Sequence, residues 1–297
     1  MRTSILAGLA LTPGSLLLSS LLSPVRIQSG NTRTLAVALL SPFALALHLS
    51  AFNLSFAAST QAAVDTIAYD NVHVAVTDPA AARQWYQQYL GGEERDGGVV
   101  YFGDTYVRFV PTDEVRPSTG SVIDHIGISF SDLTATMARL EGSGARILTP
   151  LRYADGYFNM AYIEDPWGVK FELVEDAEQL GFHHVHLRVT DPQETLDWFE
   201  DKLGGAREKF KGQLDGLRYG GVWLLASPRG NEELAPSAQR SIRNLAWQVS
   251  DVIVASADFQ SKGVTLISDS RPFQNLRYAF FEDPEGVRVE VLHYVDP

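Results

Sequence analysis

The chain has 297 residues, a formal net charge of −12 and no cysteine. Disulfides and thiolate metal sites are therefore excluded, while the length allows two ordinary domains. All acidic residues follow residue 64, whereas three arginines precede it, so the remainder of the chain is more acidic still. Such a chain repels phosphate backbones, and nucleic-acid binding is not expected.

Residues 1–64 have the composition of an export signal or a membrane anchor rather than of a folded domain. The apolar run LAVALLSPFALAL follows Arg26 and Arg33, and the small residues of FAASTQAA suit a signal-peptidase site. An earlier apolar run makes the segment long, which a misassigned start codon or a retained anchor of roughly 20 apolar residues would explain. We favour a cleaved export signal and a periplasmic or secreted protein, with no stable membrane span after cleavage.

Beyond residue 64, four strands with alternating apolar residues each open a module. They read NVHVAVTD (71–78), HIGISFSD (125–132), HVHLRVTD (184–191) and NLAWQVSD (244–251). Each ends in an Asp that is placed to cap a following helix, because its carboxylate can accept hydrogen bonds from the first amides. The predicted helix ends are Gly91-Gly92, Gly142 or Gly144, Gly204-Gly205 and Gly263. Short β-rich runs follow each helix, so every module reads β-α-β-β-β.

The two halves of this body are copies of one another. TDPAAARQWYQQYLGG (77–92) matches TDPQETLDWFEDKLGG (190–205), and EDPWGVKFE (164–172) matches EDPEGVRVE (282–290). The chain therefore contains a duplicated half that is itself made of two modules.

Four such modules with these closing motifs resemble the vicinal oxygen chelate superfamily, which includes glyoxalase I, extradiol dioxygenases and bleomycin-resistance proteins. The likeness covers residues 67–294. It implies an α+β fold in which four βαβββ modules pair into two cupped mixed β-sheets with helices on the outer faces. It also implies a first glyoxalase-like domain over residues 67–176 and a second over residues 181–295, each with two modules.

The resemblance further implies where a divalent metal would bind. One family ligand is the His that lies seven residues before the capping Asp, and the occupants of that position here are Asn71, His125, His184 and Asn244. The carboxylate ligand follows the DP-x-G turn, at Glu172 and Glu290. Two imidazoles and one carboxylate form a facial triad with open coordination positions, which Fe, Mn, Zn, Ni or Co can occupy. Glyoxalase I in that family uses two carboxylates, so its own reaction is the poorer match.

The pairing of the modules decides which ligands meet. In direct pairing, module one pairs with module two and module three with module four, and each site would then lack one histidine. In swapped pairing, module two pairs with module three and module one with module four, which would bring His125, Glu172 and His184 together in one intact site. The other site would then contain Asn71, Asn244 and Glu290. One lost site explains both asparagines, so we favour swapped pairing, and direct pairing with His73 in place of Asn71 remains the alternative.

The family resemblance favours an exported metalloenzyme of dioxygenase, lyase or isomerase type, acting on a small molecule with two adjacent oxygens. We assign His186 and Tyr278 as candidate catalytic residues, although His73 and His186 could equally be ligands, bases or packing residues. Residues that could line the cup are Tyr157, Tyr162, Arg218, Tyr219, Arg277 and Tyr278. One alternative is a metal-free protein that sequesters small molecules, and another is that one half binds ligand while the other is a structural platform.

Overall fold

A computed structural model describes residues 64–95 and 97–295. The segment before residue 64, and with it the predicted export signal or anchor, lies outside the described residues. Each of the four predicted modules is present with one helix and four strands. None of the described helices is long and apolar enough to cross a membrane.

The first half of the chain contains two modules of this pattern. The first comprises β1 (Thr66–Val76), α1 (Pro79–Leu90), β2 (Glu93–Arg95), β3 (Val99–Phe102) and β4 (Thr105–Pro111). The second comprises β5 (Ile123–Ser129), α2 (Leu133–Arg139), β6 (Arg146–Tyr153), β7 (Asn159–Glu164) and β8 (Lys170–Glu175).

The second half repeats the arrangement. The third module comprises β9 (Gly181–Val189), α3 (Pro192–Leu203), β10 (Ala206–Phe210), β11 (Leu214–Tyr219) and β12 (Val222–Pro228). The fourth comprises β13 (Ile242–Val249), α4 (Val252–Ser261), β14 (Leu266–Phe273), β15 (Leu276–Glu282) and β16 (Arg288–Tyr294). A short 3₁₀ helix, Ser237–Gln239, precedes β13.

All four helices begin at the predicted aspartate caps. The side chains of these caps accept hydrogen bonds from amides of the first helical turn, and the residues are Asp78, Asp132, Asp191 and Asp251. Glycine ends α1 and α3 as predicted, at Gly91 and Gly204. Glycine also ends α4 as predicted, because Gly263 follows the cap residue Lys262 with a φ of 81°, and the amides of Gly263 and Val264 donate to the carbonyls of Gln260 and Phe259. The prediction was wrong for α2, which ends earlier because Leu140 caps it with near-helical backbone angles that need no glycine.

The modules pair in the swapped arrangement. One sheet has the strand order β14-β15-β16-β13-β1-β4-β3-β2 and is called the 1–4 sheet after its two modules. The other has the order β10-β11-β12-β9-β5-β8-β7-β6 and is called the 2–3 sheet. The central pairs, β1 with β13 and β5 with β9, are antiparallel. The predicted α+β fold and the swapped pairing are therefore confirmed, and direct pairing is wrong.

Each sheet has one face covered by helices and one face that forms a cup. In β1, Val72, Val74 and Val76 are buried in the same core cluster as Tyr86 of α1. The residues that alternate with them, Asn71 and His73, point to the opposite face, because successive strand side chains alternate. Asn71 occupies a position of the metal-ligand frame, so that position lies on the cup face.

Candidate functional site

Strand register places the three predicted ligands side by side in the middle of the 2–3 sheet. Across β5 and β9, His125 pairs with His186 and Gly127 pairs with His184. Across β5 and β8, Gly127 also pairs with Glu172. Paired residues of neighbouring strands present their side chains on the same face, so these side chains converge on one point of the cup.

The converging atoms are close enough to share a metal ion. Glu172 Oε2 lies 3.0 Å from His125 Nε2 and 3.3 Å from His184 Nε2. Ring nitrogens of His125, His184 and His186 lie within 4.8 Å of one another. Within residues 64–95 and 97–295, this is the one group of three or more such side chains with ligand atoms at that spacing. The structure therefore brings together all three predicted ligands and adds His186 at their side.

Gly127 makes the space for one of these rings. A Cβ atom at this position would lie 2.1 Å from both Cε1 and Nδ1 of His184. A side chain there cannot coexist with the observed ring, so the absence of a Cβ is a steric requirement of the site. We did not identify Gly127 from sequence; the signal was a glycine inside an otherwise apolar strand, which often marks close approach of another group.

The imidazoles of His125 and His184 are each held on the far side of the ring by a second polar residue. His125 Nδ1 is 2.7 Å from Asp124 Oδ2, and Lys170 Nζ is 2.6 Å from the same oxygen. His184 Nδ1 is 2.7 Å from Nδ1 of the buried His183. Engagement of Nδ1 leaves each Nε2 directed at the centre, which is the usual arrangement around metal-binding histidines.

The protonation states suit a divalent metal. Burial lowers the pKa of His184 to about 4, so its imidazole is neutral at neutral pH. Burial opposes ionisation of Glu172, but the hydrogen bond with His125 and the neighbouring His184 hold its pKa well below the usual range. Burial also disfavours protonation of His125, yet its bonds to Asp124 and Glu172 outweigh that effect and raise its pKa. A metal would displace the proton that His125 shares with Glu172, since ligands must be deprotonated.

One atom of the site lacks any hydrogen-bond partner. His184 Nε2 is buried and faces Glu172, but the contact does not have hydrogen-bond geometry. An unpaired buried nitrogen is unfavourable by about 1–3 kcal/mol, which a bound metal ion would remove. The residues present therefore fit a metal ion with two nitrogen ligands and one oxygen ligand.

A cavity of about 210 Å³ opens above this cluster. Glu172, His184 and His186 lie at its base, and Tyr157 and Tyr162 form part of its wall. His186 is held by a 3.1 Å contact between its Nε2 and Ser227 Oγ, and burial lowers its pKa well below the usual range. The cavity thus combines an ionised carboxylate and neutral imidazoles with a largely apolar wall.

Four other predicted lining residues lie elsewhere. Tyr278 lines a cavity in the 1–4 sheet rather than this one, because β15 belongs to the fourth module. Tyr219 packs against Trp247 in the core, and Arg218 is exposed near Trp223. Arg277 bonds to Ser270 on the neighbouring strand. The structure therefore separates Tyr278 from His186, the other candidate catalytic residue.

The corresponding position of the 1–4 sheet contains Asn71, Asn244 and Glu290, as swapped pairing requires. Glu290 Oε2 accepts a 3.1 Å hydrogen bond from Asn244 Nδ2 and lies 3.2 Å from His73 Nε2. Asn71 donates to Tyr106 and Asp70 rather than to Glu290. Neutral amides are poor ligands for transition metals, so this second cup differs chemically from the first.

Comparisons with known proteins agree with this architecture. Residues 66–173 and 181–291 each match the sequence model of the Glyoxalase/Bleomycin resistance protein/Dioxygenase superfamily. Glyoxalase I from Zea mays has 19% identity and a TM-score of 0.63, over 77% of this chain and 92% of its own. A putative dioxygenase from Bacillus subtilis subsp. subtilis str. 168 has 19% identity and a TM-score of 0.59, over 78% and 86%. None of the curated proteins matches the chain. At these identities the two structures show a shared fold.

Proposed function

Because the chain belongs to the Glyoxalase/Bleomycin resistance protein/Dioxygenase superfamily, we propose that it is an enzyme with one divalent metal centre. The ligands in this proposal are His125, Glu172 and His184. The substrate is a small molecule with two adjacent oxygens, and the reaction is of the dioxygenase, lyase or isomerase type. Bound there, the metal supplies Lewis-acid chemistry to those oxygens.

The convergence of Nε2 of both histidines on Glu172 Oε2 is the observation that carries this proposal. Three different strands supply the three atoms, and Asp124 and His183 orient the two rings. A site of this kind is preorganised, because the ring orientations do not have to be selected when a metal arrives. The unpaired nitrogen of His184 adds an energetic reason for an ion at this point.

The other residues of the cavity bind and orient the substrate in this proposal. His186 moves a proton, because its neutral imidazole lies beside the ligand atoms and Ser227 holds its ring. Tyr162 forms a wall whose ring meets that of His125 at 5.2 Å between centroids. Tyr278 has no part in this reaction because it lies in the other cavity.

Metal content per chain tests the proposal directly. Protein purified under aerobic and anaerobic conditions is analysed by elemental mass spectrometry and then titrated with Mn, Fe, Co, Ni and Zn. We expect close to one ion per chain, and we expect His125→Ala, Glu172→Ala and His184→Ala each to abolish its binding. Two remaining ligands in an open cup hold a metal weakly, which is why each single replacement suffices.

Matched variants in the second cup provide the control. Glu290→Ala should leave the ion count and the affinity unchanged, and Asn71→His should leave the affinity of the first cup unchanged, because neither residue touches that cup. If the parent protein binds no ion under any condition, the enzyme proposal fails and a metal-free binding protein takes its place. Equal loss of metal in Glu290→Ala would contradict the assignment of the ligands.

Export of the mature protein is part of the proposal and is supported by the sequence alone. The charge-free run from Thr34 to Val64 and its small residues suit cleavage by a signal peptidase. An exported location would expose the metal centre to external substrates and metals.

A further inference from the structure

The cup of the 1–4 sheet contains a second cavity, and its chemistry differs from that of the first. It also has a volume of about 210 Å³. Its polar lining residues are Asn71, His73, Tyr106, Arg108, Tyr278 and Glu290, and its apolar lining includes Phe273, Leu276 and Phe280. This volume is smaller than the roughly 300–1,000 Å³ of pockets for drug-sized ligands, so the cavity suits a small molecule.

An arginine lines each cavity, but Arg152 in the 2–3 sheet is exposed on the edge strand β6. Arg108 in the 1–4 sheet is half-buried on β4, next to the central strand β1. Arg108 is the strand partner of His73 across β1 and β4. The residue equivalent to His73 in the 2–3 sheet is His186, and its strand partner is the apolar Leu225. In the described part of the chain, no carboxylate oxygen lies within 4.0 Å of the guanidinium nitrogens of Arg108. An arginine is charged throughout the physiological pH range, so a half-buried guanidinium here adds a positive charge to the cavity.

Two other residues of the lining, Glu290 and His73, are uncharged at neutral pH. Burial raises the pKa of Glu290 to about 8, so its carboxyl group is protonated. Burial also lowers the pKa of His73 to about 3, so its imidazole is neutral. Asp70 lies behind Asn71, where it accepts a 2.7 Å hydrogen bond from the amide, and it does not line the cavity. The lining therefore carries one positive charge and no ionised carboxylate.

Asn71 does not compete for Arg108. Its side chain is fully buried, and its amide nitrogen donates hydrogen bonds to Asp70 and Tyr106. The half-buried cation and the apolar wall together describe a site for an amphipathic organic anion.

We propose that this second cavity binds a small organic monocarboxylate without a metal ion. Arg108 binds the carboxylate, and Phe273, Leu276 and Phe280 surround the hydrocarbon part. Arg108 suits this role because its planar guanidinium can donate two parallel hydrogen bonds to one carboxylate. The site is independent of the metal centre, since the two cups belong to different sheets.

Calorimetric titration of the full chain with benzoate, phenylacetate and hexanoate tests the proposal, with EDTA present throughout. Benzamide serves as the neutral isostere of benzoate. We expect at least one carboxylate to bind with millimolar or better affinity, and benzoate to bind roughly tenfold or more tightly than benzamide. Arg108→Gln should remove that preference, whereas Arg243→Gln, which removes a nearby charge outside the lining, should retain it.

The same titrations contain the results that would overturn the proposal. Failure of all three carboxylates to bind, equal affinity for benzoate and benzamide, or unchanged preference in Arg108→Gln would each exclude an anion site at Arg108. Loss of binding in His184→Ala would locate the ligand in the other cup. Circular dichroism and thermal unfolding of each variant confirm that it is folded, and Arg108→Lys, which keeps the charge, should retain part of the preference.

Discussion

The ring of His184 occupies the space that a side chain at Gly127 would fill. The two residues face each other across the central strands of the 2–3 sheet, and a Cβ at Gly127 would lie 2.1 Å from the ring. In the 1–4 sheet the equivalent pair is Ala246 and Asn71. The residue opposite the asparagine therefore has a methyl side chain, whereas the residue opposite His184 has none.

Gly127→Ala should therefore displace His184 while the strand remains formed. We expect the metal affinity to fall roughly tenfold or more, because one of three ligands moves away from the centre. Metal titration followed by absorption of bound Co²⁺ measures the effect. The control is Ala246→Gly in the other sheet, and a Gly127→Ala protein with parental affinity would refute the steric argument.

Asp124→Asn should weaken the metal centre through His125. The carboxylate of Asp124 holds Nδ1 of that ring at 2.7 Å, and an amide holds it less well and does not favour the same tautomer. We expect roughly a 10–100-fold loss of metal affinity, measured by competition with a chelator. Asp70→Asn makes the same change at the equivalent position of the first module, directly before Asn71, and should not change the metal affinity. Equal effects of the two substitutions would indicate a general electrostatic contribution instead.

Asp191→Ala should affect stability and not metal binding. Asp191 Oδ1 accepts hydrogen bonds of 2.8 and 3.3 Å from the amides of Gln193 and Glu194 at the start of α3. Loss of such a cap lowers the free energy of unfolding by about 0.5–2 kcal/mol, which chemical denaturation can measure. Asp191→Asn should recover most of it. Metal loss at unchanged stability would mean that this carboxylate is functional.

Binding of benzoate to the second cavity should weaken at alkaline pH. The pKa of Glu290 is raised to about 8, so its carboxyl is neutral below that pH and adds a negative charge above it. Two charges about 4 Å apart repel by roughly 1–4 kcal/mol, which corresponds to at least a several-fold loss of affinity between pH 6.5 and 9.5.

The groups around Glu290 show which residue would cause this pH dependence. They are His73 on β1, Arg108 on β4, Asn244 on β13 and Tyr278 on β15, while Asp70 acts on Glu290 through its charge from outside the lining. The pKa of His73 is held at about 3, so its imidazole does not change charge over this range. Glu290→Gln should therefore make the affinity nearly independent of pH. A persistent decline in that variant would assign the titration to another group.

The export proposal predicts a mature chain that begins near residues 58–65. Intact-mass measurement of the protein from its native source should show loss of about 60 residues, in line with signal cleavage. Detection of a chain that retains Arg33 would favour a membrane anchor instead.

The module pattern and the helix starts were determined by local sequence. Alternating apolar residues specify a strand with one core face, and an Asp before a helical stretch satisfies free amides wherever the module lies. Asp78 and Asp191 were therefore predictable without knowledge of the fold. The ligand set around Glu172 also followed from sequence, but only through the resemblance to a family.

Tertiary structure decided which modules share a sheet and which side chains share a cavity. Both pairings use the same strands with the same alternation, so local patterns do not distinguish them; the two asparagines only favoured one. Tyr278 was placed with His186 from sequence, yet β15 lies in the other sheet. The roles of Gly127 and Arg108 depend on their partners on neighbouring strands, which are His184 and His73. Such contacts join residues that are distant in the chain, and hydrogen bonding between strands, rather than sequence spacing, sets which residues meet.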